Sequence, residues 1–355
     1  MEALAPRLAG LSSLLRLNLE SNELGAAGAE ALAPHLASLT SLEVLDLRKN
    51  GLDAAAIKAL SPHLSKLTAL RYLFRQSNTM GTEGVRALTP HLTSLTALQH
   101  LAVAFSDMGT DGTKLLAPHL ACLTALRFLN LESNSVGAAG AEALGPYVAG
   151  LTSLQVLNLA GNSVGAAGVA ALRRHLSSLA SLQHLDLSGN SMGTAGAKSL
   201  GSLLRSLTGL QHLNLAQNDL ASAAAMASLA APLCGLSLLT SLDLQHNRLA
   251  AARIQTLAPS LARLSELRHL ALGSNDMGAA GVQALGPHLK RLSALRELRL
   301  GLNNMGDAGA KALAPHLKCL TALEVLCLQQ NELGAECKAF LRHDMADRYD
   351  CDIML

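Results

Sequence analysis

The chain has 355 residues, half of them hydrophobic, which is enough to bury a large core. With 28 basic and 26 acidic residues the formal net charge is only +2, so no global field points to nucleic acid or an anionic membrane. No apolar run of about 18 residues lacks polar breaks, which argues against a membrane span, and the opening MEALAPRLAG makes a poor secretory signal.

Reading from the N-terminus, Pro6 falls where later units carry a helix, so residues 1–13 read as a partial unit that begins at its helix and serves as a crude cap. The first full unit follows. In LNLES, Leu17 and Leu19 share one side, and Arg16, Asn18 and Glu20 the other, the period-two pattern of a short half-buried strand. After Asn22, LGAAGAEALAPHLASL places Leu24, Ala29, Leu32, Leu36 and Leu39 at helical spacing. The same pattern recurs as LEVLDLRKN, LRYLFRQSN, LQHLAVAFS, LRFLNLESN and onward. There are twelve copies ending at 22, 50, 78, 106, 134, 162, 190, 218, 247, 275, 303 and 331. Each step is 28 residues except 218 to 247, which is 29. No linker interrupts the series, so residues 1–355 read as a single domain, with repeats over 14–340 and a C-terminal cap over 341–355.

Strand then helix, always in one sense, predicts an α/β solenoid. Parallel strands about 4.8 Å apart line one face, and helices needing about 10 Å each line the other, so the stack must curve into a horseshoe with the strands on the concave side. The recurring Asn is expected to bond backbone groups that leave the sheet, stacking into a ladder. The glycine pairs at 25/28, 81/84 and equivalent places read as helix-start turns and close packing rather than a phosphate cradle. All ten prolines sit at one helix position, where each helix is expected to kink or stop. The extra residue of the 29-residue unit calls for a bulge between Asn218 and Leu229.

The pattern L-x-x-L-x-L-x-x-N-x-L with G-x-x-G-A-x-x-L-A helices resembles the leucine-rich repeat, in its ribonuclease-inhibitor-like class. That class includes ribonuclease inhibitor, the arrays of NOD-like receptors and the Ran GTPase-activating protein. The resemblance implies a right-handed horseshoe that binds protein on its concave face. Its other implied roles are activation of a GTPase or other enzyme regulation, and a recognition array of innate immune receptors. The chain lacks the cysteine, acid and tryptophan richness of ribonuclease inhibitor, the nucleotide-binding domain of the receptors and the long acidic tail of the Ran activator.

Catalytic, metal and cofactor chemistry find no footing. The six cysteines are scattered without a C-x-x-C pair and read as reduced thiols of a cytoplasmic protein. His35, His63, His91, His119, His175, His288 and His316 recur once per outer helix, too far apart to share an ion. His184 and His212 fall on adjacent strands, yet no cysteine joins them. No serine or cysteine nucleophile motif occurs. The expectation is a non-enzymatic, monomeric, cytoplasmic scaffold that holds a protein partner, with no nucleic acid, membrane or cofactor.

The strand-side columns say where that partner would sit. Of seven aromatic residues, Tyr72, Phe74, Phe105 and Phe128 fall on this side, all in repeats 3–5. The same repeats hold the two worst motif breaks, Arg75 and Ser106. Exposed aromatics cost solubility unless covered, and Tyr and Arg are typical binding hot spots. The expected site is Tyr72, Phe74, His100, Phe105 and Phe128, rimmed by Arg48, Lys49, Asp107 and Glu132. The competing reading is that these rings pack on each other for stability. Arg75 is expected to distort the strand or to reach the edge, with Glu83 as a possible ion-pair partner.

Overall fold

A computed structural model describes residues 5–344 and 351–355. Residues 1–4 of the expected N-terminal cap and 345–350 of the expected C-terminal cap lie outside them. Contacts divide the chain into two compact units, residues 1–182 and 183–355.

In the first unit, α1 (Ala5–Leu8) precedes β1 (Arg16–Asn18), α2 (Gly25–Leu36), β2 (Val44–Asp46), α3 (Ala54–Leu64), β3 (Tyr72–Phe74) and α4 (Gly81–Leu92). It continues through β4 (His100–Ala102), α5 (Gly109–Leu120), β5 (Phe128–Asn130), α6 (Gly137–Val148), β6 (Val156–Asn158) and α7 (Gly165–Leu176). The second unit holds β7 (His184–Asp186), α8 (Gly193–Leu204), β8 (His212–Asn214), α9 (Ala223–Leu233), β9 (Ser241–Asp243) and α10 (Ala250–Leu261). It ends with β10 (His269–Ala271), α11 (Gly278–Leu289), β11 (Glu297–Arg299), α12 (Gly306–Leu317), β12 (Val325–Cys327), α13 (Ala335–Asp344) and β13 (Asp352–Met354).

In each unit the strands lie parallel in chain order, with every residue opposite its equivalent one repeat away: Arg16 opposite Val44, His269 opposite Glu297. Successive helices pack side by side on the other face, and the repeat is a solenoid as the spacing predicts. The core lies between the layers. The leucines of the motif, such as Leu45, Leu47, Leu52, Leu60, Leu64 and Leu67, are fully buried. Each contributes about 1.5–3 kcal/mol of transfer free energy.

The Asn ladder is present in both units. Asn50 Oδ1 accepts the N–H of Asn22 at 3.0 Å and of Leu24 at 3.4 Å, and its Nδ2 donates to the carbonyls of Leu19 at 2.7 Å and Arg48 at 3.0 Å. Equivalent bonds run from Asn190 through Asn218, Asn247, Asn275 and Asn303 to Asn331. One buried amide therefore serves backbone groups of two repeats.

The glycine pair has two separate jobs. Gly278 starts α11 with φ +58°, and the equivalent Ala250 takes the same left-handed conformation (φ +48°) without that freedom. The second glycine is a packing site: a methyl group on Gly168 would collide with Val164 and press on the backbone of α6 at Ala138. The prolines do less than the sequence implies. Helices α2 to α6 run two residues past their prolines, while α7 and α8, with Arg174 and Ser202 at that place, stop at the equivalent leucine. The helix ends where its last core leucine docks. The extra residue of the long repeat lies before α9, which starts five residues after Asn218 and is capped by Ser222 through Ala225 N–H at 3.0 Å. At the C-terminus, β13 pairs with β12 and covers that sheet edge.

Two positions break the pattern. Ser106 is too short to reach across the turn: its hydroxyl donates to the Ala104 carbonyl at 3.2 Å, and the N–H of Met80 turns to Asn78 carbonyl at 2.9 Å instead. Arg75 neither distorts its strand nor reaches the edge. It is 1% exposed, in the core column occupied by Leu47 and Val103, with no hydrogen-bond partner for Nε, Nη1 or Nη2 among the described residues. Glu83, the expected partner, is exposed and pairs with Arg86 at 3.3 Å. Burial alone lowers the Arg75 pKa to about 10.

Both breaks predict gains on repair. Ser106→Asn is expected to stabilise by about 1 kcal/mol by restoring the ladder. Arg75→Leu should stabilise by about 3 kcal/mol by removing an uncompensated buried charge. Each is read as a higher urea midpoint at unchanged slope.

Candidate functional site

The strand face of β3–β5 carries the aromatic cluster because residues before the second leucine of each repeat point away from the core. The register sets Tyr72 opposite His100 and His100 opposite Phe128. Their rings form a continuous stack, with centroids 4.4 Å apart (23° between planes) and then 5.4 Å apart (22°). Phe74 tilts against Tyr72 at 6.2 Å, and the Arg48 guanidinium lies 5.4 Å from the centre of the Phe74 ring, a cation–π contact. All four rings are half-buried. Phe105 stands outside this stack and is 50% exposed, held with φ +52°.

The rim residues do not all gather. Arg48, Lys49, Phe105 and Glu132 line one hollow of about 200 Å³, together with Ala104 and Gln76. Asp107 is exposed two residues beyond Phe105 and does not line it. Glu20, not singled out from the sequence, lines the same hollow. It accepts from Arg48 Nη2 at 2.9 Å and lies 3.6 Å from Lys49 Nζ. The signal was available, since Glu20 sits one repeat before Arg48 and so falls beside it in register. Asp46 also binds Arg48, through Nε at 2.9 Å to Oδ1. This hydrogen bond raises the Arg48 pKa above its ordinary value, against the effect of burial. The guanidinium is thereby fixed over Phe74 rather than free to swing.

A second ring pair lies in the other unit. His184 and His212 stack at 5.1 Å and 26°. No group of three metal-ligating side chains occurs among the described residues. Of the helix histidines, His175 and His316 lie against Gly145 and Gly286 of the preceding helices, filling space that a Cβ there would occupy. Cys122 and Cys319 are exposed, Cys327 and Cys337 buried. No helix among the described residues is long and apolar enough to cross a membrane.

Burial lowers the pKa of His100, His184 and His212, with the Arg127 charge adding to the effect at His100 and His184 adding at His212, while Asp186 opposes it at His184. A histidine depressed below its ordinary 6.5 binds fewer protons folded than unfolded between its folded pKa and 6.5. Stability is therefore full above that window and falls as pH drops through it. Melting temperature is expected to decline from pH 7.5 to 5, and less steeply in a His184→Asn/His212→Asn variant, measured by thermal melts across that range.

Seven segments match the leucine-rich repeat family: residues 10–33, 38–61, 123–145, 150–172, 178–201, 265–286 and 288–314. No curated protein matches the chain. Among solved structures, an internalin from Listeria monocytogenes aligns over 98% of this chain and 88% of its own, with TM-score 0.61 and 23% identity. A leucine-rich repeat protein of Leptospira interrogans aligns over 99% and 98%, with TM-score 0.43 and 17% identity. Together with the parallel strands of each unit and the Asn ladder, the family match and the internalin alignment show a leucine-rich-repeat solenoid fold.

Proposed function

We propose that the protein is a non-catalytic scaffold that binds a partner protein on its concave, strand-bearing face, through the ring stack of β3–β5 and the hollow at Arg48, Lys49, Phe105 and Glu132. Leucine-rich repeat proteins generally act as interaction scaffolds. The observation that carries the site is Phe105. The stacked rings have a packing explanation, whereas a half-exposed Phe outside the stack, at a turn position that most other repeats fill with a polar residue or glycine, has none. Beside it the side chains are fixed: Arg48 is held by Asp46 and Glu20 over Phe74, so little entropy is lost when a partner docks. The ring faces offer apolar area next to a charged fork, the composition typical of interface hot spots. The proposal includes a monomeric, cytoplasmic protein without cofactor or nucleic acid, in keeping with the near-neutral charge.

Two variants separate binding from packing. Wild type and variants are used as bait, the retained partner is identified, and its affinity is measured alongside melting curves. Phe105→Ala is expected to weaken binding at least tenfold, while stability changes by less than about 0.5 kcal/mol, as for surface substitutions. The triple variant Tyr72→Ala, Phe74→Ala, Phe128→Ala is expected to abolish binding, with some loss of stability because the stack itself contributes. A partner retained at full affinity by both variants would place the interface elsewhere.

A further inference from the structure

The residue after the second leucine forms a column across the strand face of the second unit: Asp186, Asn214, Asp243, Ala271, Arg299 and Cys327, one per strand from β7 to β12. Asn214 and Asp186 bond sideways, Asn214 Nδ2 donating to Asp186 Oδ2 at 2.9 Å. Across Ala271 no such bond can form. Ala271 pairs in register with Asp243 on one side and Arg299 on the other. These two groups stand two strands apart, roughly 9–10 Å, across a position with only a methyl group.

Both flanking groups turn back to their own strands. Asp243 accepts the N–H of Gln245 at 2.9 Å and its Nε2 at 3.0 Å. Arg299 binds Glu297 through Nε and Nη2 at 2.6 Å, and Glu297 is also bound by His269 Nδ1 at 3.0 Å. Burial pushes the Glu297 carboxyl up, but the bonds from His269 and Arg299 outweigh it and leave its pKa below the ordinary value. The carboxylate is thus already committed. Asp243 Oδ2 keeps acceptor capacity, and Arg299 keeps Nη1 without a partner among the described residues. Between them lies a cavity of about 250 Å³, also lined by Ala271, Ser241, His269 and Glu297. The other alanine of this kind, Ala102 in the first unit, is fully buried beside Phe74, so its gap is filled from within. Ala271 is only half-buried.

We propose that this cavity is a second binding site, which takes the carboxamide of a glutamine side chain presented by a partner protein. The amide nitrogen donates to Asp243 Oδ2 and the amide oxygen accepts from Arg299 Nη1. A carboxylate would satisfy Arg299 but face Asp243, and an ammonium would do the reverse. A group that carries donor and acceptor together satisfies both, as Asn214 does beside Asp186 within the chain itself.

The test uses the full chain and N-acetylglutamine methyl ester as probe, followed by NMR shifts of the Ala271 methyl and the amides of residues 269–272. A saturable shift is expected, with Kd on the order of 1–10 mM for one side chain, and none with N-acetylleucine methyl ester, which carries no primary carboxamide. Ala271→Asn, which fills the gap from inside, and Arg299→Gln should each weaken binding at least tenfold, with the rest of the spectrum unchanged. Either variant alone suffices if the other fails to fold. Tighter binding of the glutamate or lysine analogue would overturn the assignment, making this an anion site of Arg299 or a cation site of Asp243. Equal response to the leucine analogue, or none to glutamine, would also overturn it.

Discussion

Everything on the strand face depends on the buried asparagine amide. A parallel strand only three residues long leaves backbone N–H and C=O groups inside the stack as it turns toward its helix, and no water reaches them. Each Asn takes two N–H groups of the preceding repeat and gives its own N–H bonds to carbonyls of both repeats, so neighbouring repeats can join at one offset only. That offset brings residue n opposite residue n+28, and hence makes every outward column of side chains a real spatial row. One turn lacks the amide, at Ser106, and it lies one repeat beyond the buried Arg75. The stretch where the scaffold is least well satisfied is the stretch that carries the aromatics.

The row geometry also limits what a stack can prove. Strands lie about 4.8 Å apart, and the ring separations of 4.4, 5.4 and 5.1 Å follow that spacing. Any run of flat side chains in one column will stack. The chemistry therefore lies in which residues occupy the column and in what breaks the row, an exposed Phe105 in one unit and a missing side chain at Ala271 in the other.

Much of this was legible in the sequence because the scaffold is periodic. Leucine spacing announces the core, and the recurring Asn announces a buried polar requirement. The step of 28 residues gives the register that places Tyr72, His100 and Phe128 side by side, and the one step of 29 locates the insertion before α9. What was not legible depends on side-chain direction or on competing forces at one position. Arg75 was expected to escape because burial is costly, but a strand fixed on both sides by its neighbours leaves the residue facing inward whatever its charge. The prolines looked decisive because they are regular, yet α7 and α8 stop at the same place without them. The candidate site was half legible: the stack followed from register, while the place of Glu20 in the hollow and of Asp107 outside it depends on side-chain direction across repeats.

The contrast between the two strand faces follows from how each handles its empty place. At Ala102 the neighbours are Phe74 and Asn130, and the alanine is fully buried, so the gap is closed. At Ala271 the neighbours are a carboxylate and a guanidinium. Their charges favour water or a hydrogen-bonding partner over each other at two strands' distance, since the Coulomb attraction there is small in a high dielectric. They fold back onto Gln245 and Glu297, and the gap stays open. The same one-residue deletion of bulk thus gives a closed surface in one context and an open polar cavity in the other. What decides between them is whether the flanking side chains can satisfy one another.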